Sequence, residues 1–279
     1  MNDWLAWLSE PFAFPFMVRG LAAALIVGLV CPVLGTYVVL RGMAFFGDAL
    51  AHIILPGVVA AFLLGWPLVS GALIVGIVAA LVIGAIGRSS TIKEDAAIGV
   101  VFAGCLALGI ALLSARRGYA VDLTHILFGN LLGVSNADLL LIGVLGGLAL
   151  LAILALYKEF LVLSFDPLLA TTLRLPVDRL QNLMLVLLAV VIVVSIQAVG
   201  VALVLAMLVT PAAAASLITR RLPVMMGVGA AIGAASSVIG LYLSYYTDLP
   251  SGPAIVLTAT AIFFIVLAFG RRGSRRADT

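Results

Sequence analysis

Long apolar stretches follow one another along the chain, and they constrain its fold more than any other feature. They lie at about 18–40, 43–64, 67–87, 97–115, 138–157, 182–199, 201–218, 224–246 and 253–270. A helix needs about 20 apolar residues to cross the hydrocarbon core of a bilayer. The sequence therefore predicts an all-α, polytopic membrane bundle of about nine spans. Residues 182–218 also fit one span plus a re-entrant piece, which leaves eight spans as the alternative.

The composition excludes a large soluble domain. Of the 279 residues, 65% are hydrophobic and 10% are charged, whereas soluble domains contain about 25% charged residues. We expect an interfacial segment at 1–15, a transmembrane domain at 16–270 and a basic tail at 271–279. Because no G-x-x-x-x-G-K-[ST] loop occurs, we expect no ATP hydrolysis by this chain. We also expect no permanently bound cofactor and no nucleic-acid partner, only membrane lipid and other proteins.

Basic residues predict the orientation of the bundle, because they favour the cytoplasmic side of a membrane. They cluster after the last stretch, at Arg271, Arg272, Arg275 and Arg276, and between earlier stretches, at Arg220 and Arg221. This pattern places the C-terminus in the cytoplasm, and nine spans then place the N-terminus outside. Arg116 and Arg117 fall on the outer side and depart from the pattern.

The second stretch contains an acid and an imidazole, Asp48 and His52, four residues apart. This spacing places both side chains on one face of a helix. A charge at the centre of a spanning helix costs about 2.5–3.5 kcal/mol, so a partner should offset it. Arg41 or Arg19 would supply a purely structural ion pair. Otherwise the two side chains form a proton relay or bind a metal.

A metal site is chemically reasonable, because a carboxylate and an imidazole both bind Zn, Mn and Fe. Two ligands make a poor site, but a two-fold dimer would bring two Asp48 and two His52 side chains around one pore. Protonation of His52 would then weaken binding at low pH. Pro56 follows one turn later and is expected to kink the helix, which would make room for a passing ion.

A set of further segments occurs in order along the chain. They are G-D-A-L-A-H-I-I-L-P-G (47–57), I-K-E-D-A-A-I-G-V-V-F (92–102), L-F-G-N-L-L-G-V (127–134), F-D-P-L-L-A-T-T-L-R-L-P-V (165–177), L-V-T-P-A-A-A-A-S-L-I-T-R-R-L-P (208–223) and G-L-Y-L-S-Y-Y-T-D-L-P-S-G-P-A-I-V-L (240–257). As an ordered set, they resemble the metal-type ABC permeases, which are the membrane subunits of bacterial zinc, manganese and iron importers. The resemblance covers roughly residues 15–270.

This resemblance implies an importer in the inner membrane with two copies of the permease, two cytoplasmic ATPase subunits and an extracytoplasmic metal-binding protein. It also implies that Asp48 and His52 line the metal path. The transported ion would be Mn, Zn or Fe, and the sequence does not choose among them. The alternatives are a permease for a metal chelate or haem, a proton-coupled secondary transporter that uses the same pair, and a scaffold protein in which the pair is structural.

A short inner helix is expected at about 166–177, with Asp166 as its N-cap, Pro167 at its first position and Pro176 at its end. By resemblance it is the coupling helix that docks on the ATPase. The residues assigned to this contact are Asp166, Pro167, Leu168, Ala170, Leu173, Arg174 and Pro176. Leu168 and Arg174 depart from the family pattern, which has an acid and a glycine at these positions.

Two residues are candidates for contact with the metal-binding protein on the outer side. Asp248 lies in the turn T-D-L-P-S-G before the last stretch, where an ordinary turn role is the alternative. His125 lies in residues 119–135, which are too apolar for a free loop and predict a short outer helix. For His125, packing at this interface is the alternative to a role in receiving the metal.

Overall fold

The computed structural model describes residues 10–89, 94–114 and 131–274. Every regular element in these ranges is helical, and short 3₁₀ turns at Glu10–Ala13 and Leu131–Gly133 accompany the α-helices. The α-helices are α1 (Pro15–Leu40), α2 (Phe45–Ile53), α3 (Leu55–Leu64), α4 (Leu68–Ser89), α5 (Glu94–Ser114), α6 (Asn136–Ala155), α7 (Tyr157–Phe165), α8 (Pro167–Thr172), α9 (Val177–Val199), α10 (Val201–Ile218), α11 (Leu222–Thr247) and α12 (Ser251–Ser274).

Nine helical segments in the described ranges are long and apolar enough to cross a membrane. α2 and α3 together form one of them, Phe45–Leu64. The predicted all-α membrane bundle is thereby confirmed, and the described residues contain nine candidate spans, as expected, rather than eight. Gly200 decides the count, since it separates α9 from α10 with a backbone φ of 87°. Glycine has no Cβ and therefore adopts a positive φ readily.

The centre of the bundle is formed by α1 and α9. In each of these helices, 67% of the most apolar 18-residue stretch is buried within the chain. In α5 and α12 only 17% of such a stretch is buried, so these helices lie at the periphery. α9 packs against α4 and α6, and α1 packs against α10, α11 and α6. The central helices thus support the shorter α2, which contacts α5, α9 and α10.

Small residues allow α1 and α11 to approach closely. A Cβ added at Gly233 would overlap the backbone carbonyl of Gly28, and one added at Gly28 would meet the side chain of Ser237. The Ser237 hydroxyl donates a hydrogen bond to the Ala24 carbonyl at 2.9 Å. Because lipid tails are as apolar as leucine, such close packing and interhelical hydrogen bonds are what hold membrane helices together.

The short inner helix is present as α8, but it spans only Pro167–Thr172 rather than 166–177. Asp166 caps it, since its Oδ1 accepts from the Leu169 amide at 3.0 Å. The helix ends before Pro176 because Arg174 adopts a φ of 55°. The amide of Arg174 then bonds the Thr171 carbonyl, and the amide of Leu175 bonds the Ala170 carbonyl. This hydrogen-bond pattern is a Schellman motif, which commonly has glycine at the left-handed position.

Several predicted segments lie outside the described residues. The outer helix expected at 119–135 is described only from Leu131 onward, where a 3₁₀ turn leads into the Ser135 cap of α6. His125 belongs to the part that is not described. The interfacial segment at 1–15 and the basic tail at 271–279 are likewise described only in part.

Candidate functional site

Asp48 and His52 lie on the same side of α2, as their spacing predicts. The opposite side of this helix is buried and includes Phe46, Leu50 and Ile53. Both ionisable side chains are half-buried. Gly47, next to Asp48, fits against Leu205 and Leu208 of α10. Packing on α10 therefore fixes the rotation of α2 and leaves the pair on the less buried side of this helix.

Neither arginine considered from the sequence neutralises Asp48. Among the described residues, Asp48 forms no ion pair and no hydrogen bond. Arg41 instead binds Glu94, with 2.5 Å between Nη2 and Oε1. The buried Nε of Arg19 has no hydrogen-bond partner within the described ranges. The structural explanation of Asp48 as half of an ion pair with Arg41 or Arg19 is therefore wrong for this part of the chain.

His52 contacts an aromatic ring rather than a polar group. Its imidazole lies edge-on to Phe102 of α5, with 5.7 Å between ring centroids. Phe102 also contacts Phe45 at the start of α2, at 5.9 Å. These contacts orient the imidazole, while its nitrogens form no hydrogen bond within the described residues. Asp48 and His52 are thus available as ligands, but within residues 10–89, 94–114 and 131–274 no cluster of three His, Cys, Asp or Glu could hold a metal.

The second span is broken just after the pair. α2 ends at Ile53 and α3 begins at Leu55, and Pro56 lies within the first two positions of α3. Because proline has no N–H, the His52 carbonyl lacks its regular donor four residues later. The expected distortion at Pro56 is therefore present. The His52 carbonyl instead accepts from the Ile54 amide in the turn that joins α2 to α3.

A polar cluster that sequence reasoning missed lies at the end of the bundle that carries α8. Glu94, the first residue of α5, accepts hydrogen bonds from Arg41 after α1 and from Gln181 of α9. Burial lowers the pKa of the Arg41 guanidinium, and the Glu94 carboxylate acts in the opposite direction. From sequence, Glu94 looks like an ordinary acid at a helix N-terminus. The available signal was only that Arg41 and Glu94 both border predicted spans.

The remaining candidate residues occupy the ends of the bundle. On α8, Leu168 is 80% exposed and Leu173, just after the helix, is 56% exposed, whereas Ala170 is buried. Asp248 is exposed and ends α11 in a left-handed turn with a φ of 55°. His125 lies outside the described residues. Asp48 and His52 are thus together, while the other candidates are separate surfaces.

The fold and the site thus define a multi-pass membrane protein with an acid and an imidazole in a broken span. The model of the ABC 3 transport family matches residues 13–270, so this chain belongs to that family. The expected resemblance to metal-type ABC permeases is confirmed.

Named relatives cover nearly the whole chain. The manganese transport system membrane protein MntC of Halalkalibacterium halodurans is 42% identical over 269 residues, which are 96% of this chain and 92% of the relative. The chelated iron transport system membrane protein YfeD of Yersinia pestis is 43% identical, over 95% of this chain and 89% of its own length. A solved structure, PsaBC from Streptococcus pneumoniae in complex with Fab, matches with a TM-score of 0.80 and 40% identity over 94% of each chain.

Proposed function

We propose that this chain is the permease subunit of an ABC importer for a divalent transition metal, and that Asp48 and His52 hold the ion during its passage. The observation that carries the proposal is that Asp48 has no cation or hydrogen-bond donor beside it among the described residues. A carboxylate placed within a span needs compensation. A passing divalent cation supplies it, and the neighbouring imidazole is a second ligand of the appropriate kind.

Two copies of the chain are needed to complete this site. One copy contributes one carboxylate and one imidazole, and the described residues supply no third side chain of a metal-binding type beside them. Because the pair is partly exposed on the less buried side of α2, a second copy related by a two-fold axis can present the same pair across a pore. Two carboxylates and two imidazoles suit Mn²⁺, Fe²⁺ or Zn²⁺.

Manganese is the ion we propose first, with iron second. The proposal rests on the name of the MntC relative, which specifies manganese, and on that of YfeD, which specifies chelated iron. The YfeD name also supports a second candidate function, in which the metal reaches the permease as a chelate. Haem uptake stays a more distant alternative.

A separate ATPase would drive transport from the side of α8. Leu168 on this helix and Leu173 just after it are exposed, beyond the end of the spanning helices. Exposed leucines outside the lipid region favour a protein partner. The contact would comprise Asp166, Pro167, Leu168, Ala170, Leu173, Arg174 and Pro176. The extracytoplasmic metal-binding protein would dock at the opposite end, near Asp248 and His125, and the C-terminus would be cytoplasmic in a bacterial inner membrane.

Metal accumulation in cells tests this function directly. Cells that express the permease with its ATPase and binding protein are compared with cells that carry the double variant Asp48→Ala plus His52→Ala. We expect Mn, measured by elemental analysis, to rise with the intact chain and to fall to background with the double variant. The physical reason is that the variant removes all four side-chain ligands from the dimer.

The control is Asp95→Ala on α5, which removes an exposed carboxylate at equal membrane expression and should leave accumulation unchanged. Uptake that persists in the double variant would contradict the proposed path. Uptake that an uncoupler abolishes while ATP is held constant would support the proton-coupled alternative. A rise in metal only when a chelator accompanies it would support the chelate candidate.

A further inference from the structure

Three helices meet at the Glu94 carboxylate, at the end of the bundle that carries α8. Arg41, which caps the C-terminus of α1, places Nη2 at 2.5 Å from Glu94 Oε1. The Gln181 side-chain amide of α9 donates to the same oxygen. The side chains of Arg41 and Glu94 are 12% and 26% exposed, so the contact is largely shielded from solvent. A charge-assisted hydrogen bond in such surroundings is stronger than one on the surface.

Each of the three residues in this contact is adjacent to an element that the proposed transport uses. Gln181 lies in the first turns of α9, which begins directly after α8 and Pro176. Arg41 lies in the turn before α2, the helix that carries Asp48. Glu94 begins α5, whose Phe102 contacts the His52 ring. The Glu94 carboxylate therefore hydrogen-bonds both toward the α8 side and toward the helices of the pair. A second, weaker link runs from the Arg41 guanidinium to Met184 Sδ of α9, at 3.9 Å.

We propose that Glu94 is a positioning residue for transport. This inference rests on the proposed function. When the ATPase displaces α8, α9 moves with it, and Gln181 transmits that displacement to Glu94. Glu94 then shifts the start of α5 and, through Arg41, the turn that precedes α2. Opening of the metal path at Asp48 and His52 is thereby coupled to ATP hydrolysis. Because the two donors share one oxygen, loss of the Gln181 hydrogen bond leaves the Arg41–Glu94 ion pair intact. It removes the stronger of the two links from this ion pair to α9 and leaves only the weak contact of Arg41 with Met184.

A neighbouring contact supplies a matched control. Asn182, the next residue of α9, accepts a hydrogen bond from Arg88 of α4 at 2.5 Å. Gln181 and Asn182 are both half-buried amides, and both join α9 to another helix at the same end. Arg88, however, belongs to α4, which does not carry the pair. Loss of this contact should therefore change local packing without changing the coupling.

The experiment measures ATP hydrolysed per Mn²⁺ ion transported by the whole importer in proteoliposomes. This ratio does not depend on how much complex folds, so it separates coupling from stability. We expect Gln181→Met to raise the ratio roughly tenfold, the lower end of the factor that one hydrogen bond to a charged group contributes. Glu94→Gln should raise it further, whereas Asn182→Leu should leave it at the value of the unmodified importer. The exchange Glu94→Gln plus Gln181→Glu keeps the α5–α9 hydrogen bond and should lower the ratio again.

Two results would overturn the inference. An unchanged ratio with Gln181→Met would show that the contact transmits nothing. An equal rise with Gln181→Met and Asn182→Leu would reduce it to general packing of α9. If the unmodified importer hydrolyses ATP but moves no Mn²⁺, Fe²⁺ or Zn²⁺, the proposed function itself fails, and this outcome is recognised before any variant is compared.

Discussion

At the scale of single residues, Arg174 shows that a left-handed turn can form without the glycine that usually occupies this position. Its φ of 55° closes the Schellman motif after α8. A residue with a Cβ pays about 1–2 kcal/mol to enter this region, whereas glycine does not. The turn after α8 is therefore closed although residue 174 is an arginine rather than a glycine.

This geometry predicts a stability difference between two substitutions at residue 174. Arg174→Gly should be more stable than Arg174→Ala by about 1 kcal/mol, because only glycine relieves the left-handed strain. The midpoint of thermal unfolding in detergent measures the difference. A lower midpoint for the glycine variant than for the alanine variant would mean that the turn is not strained in the folded protein.

The pair and its surroundings differ in how far the sequence predicts them. Asp48 and His52 stand out because ionisable residues in an apolar span are costly, and their common face follows from helical spacing. The partner of Arg41 could not be predicted in the same way. Asp48 and Glu94 are both acids that follow Arg41 in the sequence, and either could be its partner. Only the packing of α1, α5 and α9 places Arg41 beside Glu94.

At the scale of helices, the bounds of the spans follow closely from hydropathy, because the bilayer fixes the length of each. The end of α8 was predicted less well. Proline signals place the end of this helix at Pro176, but the left-handed turn at Arg174 ends it earlier. No sequence rule predicts an arginine in that conformation, since its energy is offset by the hydrogen bonds of the turn and by surrounding structure.

Helix contacts at glycine predict opposite effects for two alanine substitutions in α11. Gly233→Ala should destabilise the protein by about 1–3 kcal/mol, because the added Cβ overlaps the Gly28 carbonyl and overpacking has this cost. Gly227→Ala meets no atom within 4 Å and should stabilise the helix by up to about 1 kcal/mol. Thermal unfolding of the two purified variants measures both effects. Equal midpoints would contradict the close approach of α1 and α11.

At the scale of the whole molecule, the proposed site exists only between two copies of the chain. This predicts how a mixed dimer behaves. Two differently tagged copies, one intact and one with Asp48→Ala plus His52→Ala, are purified together with the ATPase by both tags. Transport by this heterodimer should lie near background rather than at half of the intact value, because each ion needs ligands from both copies.

A heterodimer with half of the intact activity would contradict a shared site and would indicate a separate path through each copy. An otherwise identical heterodimer that carries Asp95→Ala in one copy serves as the control and should transport like the intact dimer. Together these measurements separate the residues of the path from the assembly that completes it.

The odd number of spans in the described residues also restricts how such an importer is encoded. If each of the nine candidate spans crosses once, Pro15 and Phe269, the two ends of the bundle, lie on opposite sides of the membrane. If a gene duplication joined two copies end to end, the second copy would enter the membrane upside down and could not mirror the first. In the proposed dimer, where both copies have the same orientation, a direct fusion would need an additional crossing between them. Two separate chains that find each other within the bilayer after synthesis need none.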